Sequence, residues 1–359
     1  MKKIFLILGM TVATMSVAQN EIDFSSVDEF FKLADKLETG IEPTDEEWKQ
    51  FFDSHGYSVS AGKSPLRKKI IMKMMNAAFN PNCQSLQDSV FTLFYEKIMD
   101  NPELMLSKMT LENYLDMKNH FLELKTFRNS DIFKTIEADA KNRLREFLVN
   151  PVDSLIIIPS ISVLCYEYEG QSKDNGIVMD LNLLYKLSYL GTVDFLAHEM
   201  FHTYRRNFTN QNFPKISEFT NQLDHLQDEA IADLIDKKEN IWETLSMKGL
   251  PAPIADMYIE TYNSTPLILA RLDSIICSFT DNKITTEQFN KEIKNYFFFG
   301  GHPNGYYMAK LIKNAGFEDE LKKYFYNPVA FIKLYNKVAK IRSEYVFSEK
   351  FISYLEDMK

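Results

Sequence analysis

Thr192-Val193-Asp194-Phe195-Leu196-Ala197-His198-Glu199-Met200-Phe201-His202 is the stretch from which the rest of the chain can be read. Thr192 is a suitable N-cap, and Asp194 in the first turn complements the helix dipole. Val193, Phe195 and Leu196 give the apolar face of a helix packed into a core. Residues four apart on a helix are neighbours, so His198 and His202 can grip one metal ion through two imidazole nitrogens. Glu199 lies one position round from His198 and can reach a water at the same ion without binding the ion itself. The pattern is HExxH, and it predicts a single Zn2+ ion.

Two imidazoles leave such a site incomplete, because catalytic zinc takes three protein ligands and keeps one position open. No HxxGxxH continuation follows His202. Downstream stands Gln227-Asp228-Glu229-Ala230-Ile231-Ala232-Asp233-Leu234, in a helix expected from about Leu223 to Glu239. Glu229 is the expected third ligand. Asp233, on the same face, would accept the free ring N–H of a ligating histidine and fix its tautomer. Ala230 and Ala232 are small enough to let the two helices approach closely. His225, Asp224 and Asp228 compete for the third place. Standing alone, Asp228, Glu229, Asp233 and Asp236 would read as a solvated acidic face.

These two segments resemble the gluzincin clan of zinc peptidases, whose thermolysin-like members carry a similar HExxH helix and downstream E-A-I-x-D. The export signal, the helical first half and the Gly301–Ala309 segment are also similar to a family of zinc-dependent peptidases in secreted bacterial proteins. The gluzincin resemblance covers about 40 residues, His198 to Asp236, of 359. It implies a thermolysin-like catalytic core and hydrolysis of peptide bonds. Between His202 and Glu229 lie 26 residues, more than in thermolysin-like enzymes, which implies a variant connection over Arg205 to Asn221. The GxMEN motif of related aminopeptidases is absent.

The fold class predicted around the motif is α+β and mainly helical. From Asp23 to about Asn150 the apolar spacing is helical, with a Thr44–Glu47 capping box ahead of Trp48, Phe51 and Phe52. Helical spacing extends over Lys68 to Phe79, Leu86 to Met99, Leu104 to Phe127 and Ile132 to Val149. The texture changes at Pro151. Strands are expected at Ser154 to Ile161, Val163 to Tyr168 and Ile177 to Leu181, with an exposed loop at Gly170 to Gly176. A small mixed sheet should therefore lie beside the HExxH helix. The domain reading is a signal peptide at 1–18, an N-terminal helical lobe at 19–150 and a catalytic region at 151–359.

Lys2 and Lys3, the apolar run Ile4 to Val12, and the small residues Ser16 and Ala18 form an export signal with cleavage after Ala18. The expected location is periplasmic or secreted, with no stable membrane insertion, because the run is too short to span a bilayer. The formal charge is -9, or -11 once Lys2 and Lys3 are removed, which disfavours nucleic acid as a partner. Three cysteines, Cys83, Cys165 and Cys277, are too few for a disulfide scaffold and read as buried apolar groups.

The chemistry expected is peptide hydrolysis, with Glu199 as general base for a water acidified by zinc. A donor to the oxyanion should come from Gly300-Gly301-His302-Pro303-Asn304-Gly305-Tyr306-Tyr307, read as a loop; His302, Tyr307 and Tyr306 are the candidates. The substrate, a peptide or protein, should pair with an edge strand at Asn175 to Asp180. Phe297, Phe298 and Phe299 offer an apolar subsite. Two other functions remain: a zinc hydrolase of a non-peptide amide, and a non-catalytic binding protein.

Overall fold

A computed structural model describes residues 22–149, 158–212, 217–237, 241, 243, 245, 248–294 and 296–358, with side chains on the helix ending at Asn212 as far as Phe208. The expected signal peptide, residues 154–157 of the expected first strand, the lobe boundary at 150 and part of the Arg205–Asn221 connection lie outside these residues. The chain is mainly helical with one small mixed sheet.

The first half follows its apolar spacing into helices. At Thr44 the capping box forms in both directions: Thr44 Oγ1 accepts from the Glu47 N–H, and the Glu47 carboxylate accepts from the Thr44 N–H at 2.7 Å. Such a cap is worth about 1 kcal/mol, and it starts a helix that buries Trp48, Phe51 and Phe52. The long runs break more often than their periodicity suggests. Leu104 to Phe127 is split at His120, whose backbone leaves the helical region between Pro102–Asn119 and Phe121–Phe127. Leu86 to Met99 divides into Gln84–Phe91 and Tyr95–Ile98. Within Ile132 to Val149, only Ile136–Arg145 is a regular helix.

The sheet has three strands, β1 (Ile161–Leu164), β2 (Gly170–Lys173) and β3 (Gly176–Asp180), in the order β1-β3-β2. β1 runs parallel to β3, and β2 antiparallel. β3 is buried along its whole length, as its apolar run requires. The sheet corrects three expectations: in place of strands at Ser154 to Ile161 and Val163 to Tyr168 a single strand, Ile161–Leu164, spans their junction, and residues 165–169 are bends. Gly170 to Gly176 is not a free loop but β2 and its turn, polar because one edge faces a cleft. Asn175 to Asp180 is not an edge, since its strand is paired on both sides. The outer side of β1 is covered by Asp23, which donates to Ile161 and accepts from Val163, both at 2.9 Å. Of the described strands, β2 alone lines the cleft, and Arg206 donates to its Ser172 carbonyl at 3.0 Å.

The HExxH helix runs Tyr189–Asn212, one turn longer at its start than Thr192 suggests. Ser188 caps it, its hydroxyl accepting from the Gly191 N–H at 3.1 Å. The acidic helix, Glu218–Asp236, likewise starts earlier than Leu223, at a Ser217–Thr220 capping box. Arg205 is buried at 1% exposure and holds the two helices together. It donates to Asp224 at 2.7 Å, to Gln227 at 2.9 Å and to the Phe325 carbonyl at 2.8 Å. Removing one partner of so buried an ion pair costs about 3–5 kcal/mol.

The segment around His302 is a helix, not a loop. A turn at Phe298–Gly301 leads into His302–Asn314. A β-carbon on Gly305 would collide with the Leu226 carbonyl and lie 3.0 Å from the Ala230 nitrogen. Gly305 is therefore the small residue that lets this helix close on the backbone of the acidic helix. One apolar core runs from Ile22 to Leu355 and takes side chains from both sides of position 150. Cys83, Cys165 and Cys277 are all free, and only Cys165 is fully buried. No described helix is long and apolar enough to cross a membrane.

Candidate metal centre

Three helices meet at one buried point. The HExxH helix brings His198, Glu199 and His202, the acidic helix brings Glu229 and Asp233, and the helix His302–Asn314 brings His302 at its first turn. His198 Nε2 and His202 Nε2 are 3.0 Å apart. Glu229 Oε2 lies 3.7 Å from the first and 3.5 Å from the second. A tetrahedral zinc with bonds of about 2.0–2.1 Å separates its ligand atoms by roughly 3.3 Å, so this triangle has the right size.

Proton bookkeeping makes the case stronger than distance does. His198 Nδ1 faces Asp236 at 3.1 Å, and His202 Nδ1 faces Asp228 at 2.8 Å. Carboxylates at both Nδ1 atoms draw the ring protons there and leave lone pairs on both Nε2 atoms. Glu229 Oε2, fully enclosed, adds another acceptor that makes no hydrogen bond; His302 Nδ1 lies 3.1 Å away but donates to Asp233 at 2.9 Å. Three lone pairs facing one another need a positive charge between them. The donor set, two imidazoles and a carboxylate, suits zinc.

The metal-free site answers the same demand with a proton. Burial lowers the His202 pKa, but Asp228 and then Glu229 outweigh it and push it up to about 10 from 6.5. A raised pKa stabilises the fold fully below 6.5, and that contribution is lost as pH rises to about 10. Zinc needs neutral imidazoles, so its own contribution runs the other way. Urea unfolding of chelated and zinc-loaded protein should show the gap between them widening from pH 6.5 upward. A gap independent of pH would contradict this coupling.

A second grouping is available, since His198, Glu229, Asp233 and His302 each offer one ligand atom within 4.8 Å of the others. Its Asp233 carboxylate is already engaged. Asp233 Oδ1 accepts from His302 Nδ1 at 2.9 Å and pairs with buried Lys237. Burial raises the Asp233 pKa, but His302 and Lys237 more than offset it and hold it at about 2. Asp233 stands 3.7 Å from His198 Nδ1, farther than Asp236. The residue expected to orient a ligating histidine thus serves His302, and Asp236 and Asp228 face the ligating rings. Lys248 holds Asp236 in turn, at 2.6 Å.

Burial raises the Glu199 pKa, with His198 and His202 opposing, as suits a group that must take up a proton. It lies directly beneath β2. A β-carbon on Gly170 would stand 2.5 Å from Glu199 Oε1 and 2.8 Å from the Phe195 ring. Gly170→Ala should therefore displace the carboxylate and cut turnover by at least about tenfold while zinc stays bound. Full activity in this variant would show that the contact does not position Glu199.

The three candidate oxyanion donors part company. His302 lines the cleft. Tyr306 is buried against Tyr262, and Tyr307 donates to Glu344 at 2.7 Å; neither reaches the cleft, because successive residues of a helix face different ways. Among the rivals for the metal, Asp224 is committed to Arg205, and His225 is exposed at the cleft wall. Asp228, expected as a rival ligand, and Asp236, expected only on an acidic face, instead face the ligating rings, and Lys237, Lys248 and the close approach of Gly170 had no expected role. The i, i+4, i+7 spacing of Glu229, Asp233 and Asp236 was a usable signal; Lys248 carried none.

A cluster of imidazoles and carboxylates on converging helices, open to one cleft, is an arrangement that could hold a metal ion. Residues 46–344 match the family described as "Putative zinc dependent peptidase (DUF5700)", and the chain belongs to that family. No curated protein and no solved structure gives a significant match.

Proposed function

We propose that the protein is an exported zinc peptidase in which His198, His202 and Glu229 bind one Zn2+. The observation that carries the proposal is the convergence of their three lone-pair atoms in a buried site without a proton for each. Family membership supports the zinc dependence and the peptide substrate.

Bound zinc supplies a Lewis acid that acidifies water and polarises a carbonyl. Glu199 accepts the proton of the attacking water and returns it to the leaving nitrogen. His302, held by Asp233, donates to the oxygen on which negative charge develops. Asp236 and Asp228 keep the ring protons on the Nδ1 atoms of His198 and His202. The substrate backbone lies along the outer edge of β2, where the pairing register turns the Gly170 N–H and C=O away from β3. This is the thermolysin-like arrangement, with residues 19–150 as the helical lobe, 151–359 as the catalytic region, and cleavage after Ala18 releasing the chain outside the cytoplasm.

The test is digestion of an unfolded protein and a mixed peptide pool by zinc-loaded protein, read by mass spectrometry. Cleavage that stops with chelator and returns with zinc is the expected result. A stably zinc-loaded protein that leaves every peptide intact would overturn the peptidase reading and turn attention to other amides.

A further inference from the structure

The cleft, about 530 Å³ in volume, has both polar and apolar lining. Glu167, Glu169 and Arg206 make the side near β2 polar. Its apolar lining comes from Met105, Met109, Leu250, Ile254, Tyr258 and Phe299. The two methionines lie one turn apart on Pro102–Asn119, so both present to one face. Met105, Met109 and Phe299 pack on a small apolar cluster of Tyr95, Ile98 and Ile254, separate from the main core, and remain partly exposed there. The same cleft holds His198, Glu199 and His302, so this apolar lining opens onto the metal centre.

Phe299 is the unusual member. Its backbone is left-handed, φ 52° and ψ 38°, where a β-carbon is disfavoured and glycine sits easily. Gly300 and Gly301 follow with φ 63° and 95°. The turn therefore asks for glycine at three successive positions and receives it at two. The adjacent aromatics do not share the cleft: Phe297 is buried in the core and Phe298 is 56% exposed. Only Phe299 faces the site, its ring 5.4 Å from Tyr258, and the same turn delivers His302. A side chain kept at conformational cost beside a reactive centre points to a use for that side chain.

Building on the peptidase reading, we infer that Phe299, with Met105, Met109, Leu250 and Ile254, forms a subsite for a large apolar side chain of the peptide beside the scissile bond. Methionine side chains are unbranched and adaptable, so the pocket should accept both aromatic and branched aliphatic groups. A carboxylate or amide would lose water there without gaining a partner.

Peptides identical except at one residue flanking the scissile bond, Phe, Leu, Ala or Asp, give the test. They are cut by zinc-loaded wild-type protein, Phe299→Gly and Met105→Ala, and kcat/KM is compared. Phe299→Gly removes the ring but leaves a residue at ease in the left-handed turn. Wild type should favour Phe and Leu over Ala by about 10–200-fold, with Asp poorest. Each variant should lower the Phe-to-Ala ratio about tenfold. Should Phe299→Gly prove inactive, the ratio in Met105→Ala decides. Cleavage without apolar preference, or full preference in both variants, overturns the subsite while leaving the peptidase reading intact. Failure to cut any peptide would strike that reading itself.

Discussion

Glu199→Gln should retain zinc at one ion per chain and lose turnover by roughly 10²–10⁴-fold, the usual contribution of a positioned general base. The substitution keeps the size of the side chain under Gly170, so the packing that places Oε1 against β2 survives. What goes is the ability to accept a proton. Burial lifts the Glu199 pKa towards the working range, which makes the carboxylate a better acceptor than an exposed one. The ligands are untouched, because the Nε2 atoms of His198 and His202 and the Glu229 carboxylate do not depend on it. Zinc content by mass spectrometry and steady-state cleavage, measured on the same sample, check both halves. Unchanged activity would reject the proposed role of Glu199, and loss of zinc would show that Glu199 is a ligand.

Glu229→Ala should have the opposite signature: zinc is lost, and activity goes with it. Glu229 Oε2 makes no hydrogen bond, since His302 Nδ1, 3.1 Å away, donates to Asp233, so a cation is the partner that suits its place. Without it, two imidazoles remain, too few for a catalytic zinc site. Zinc present at about a hundred times its Kd stabilises the native chain by about 2.7 kcal/mol. In urea, that increment between zinc-loaded and chelated protein should vanish in the variant. Comparing loaded with chelated samples of one variant removes any effect of the substitution on the fold. An undiminished increment would assign the metal to other residues.

The metal-proximal residues were legible because helical spacing turns four residues of sequence into one side of a site. His198, His202 and Glu229 could be placed together from the letters, and so could the acidic helix. The partners behind the ligands could not be sorted. Asp228, Asp233 and Asp236 sit on overlapping faces of one helix, and which ring each meets depends on the crossing of the helices, fixed by Gly305 on Ala230 and by buried Arg205. β2 was misread because an edge strand over a polar cleft lacks the apolar alternation by which strands are recognised. His302, Tyr306 and Tyr307 looked alike in a presumed loop. Helical geometry then separated them, sending one ring to the cleft, one into the core and one to Glu344.

Anomalous diffraction at the zinc edge on crystals of the zinc-loaded protein addresses the assignment directly. One peak is expected at about 2.0–2.1 Å from His198 Nε2, His202 Nε2 and a Glu229 oxygen, with Asp233 hydrogen-bonded to His302 and outside the coordination sphere. A peak bound by Asp233 and His302 in place of His202, or no peak at the meeting point of the three helices, would contradict it.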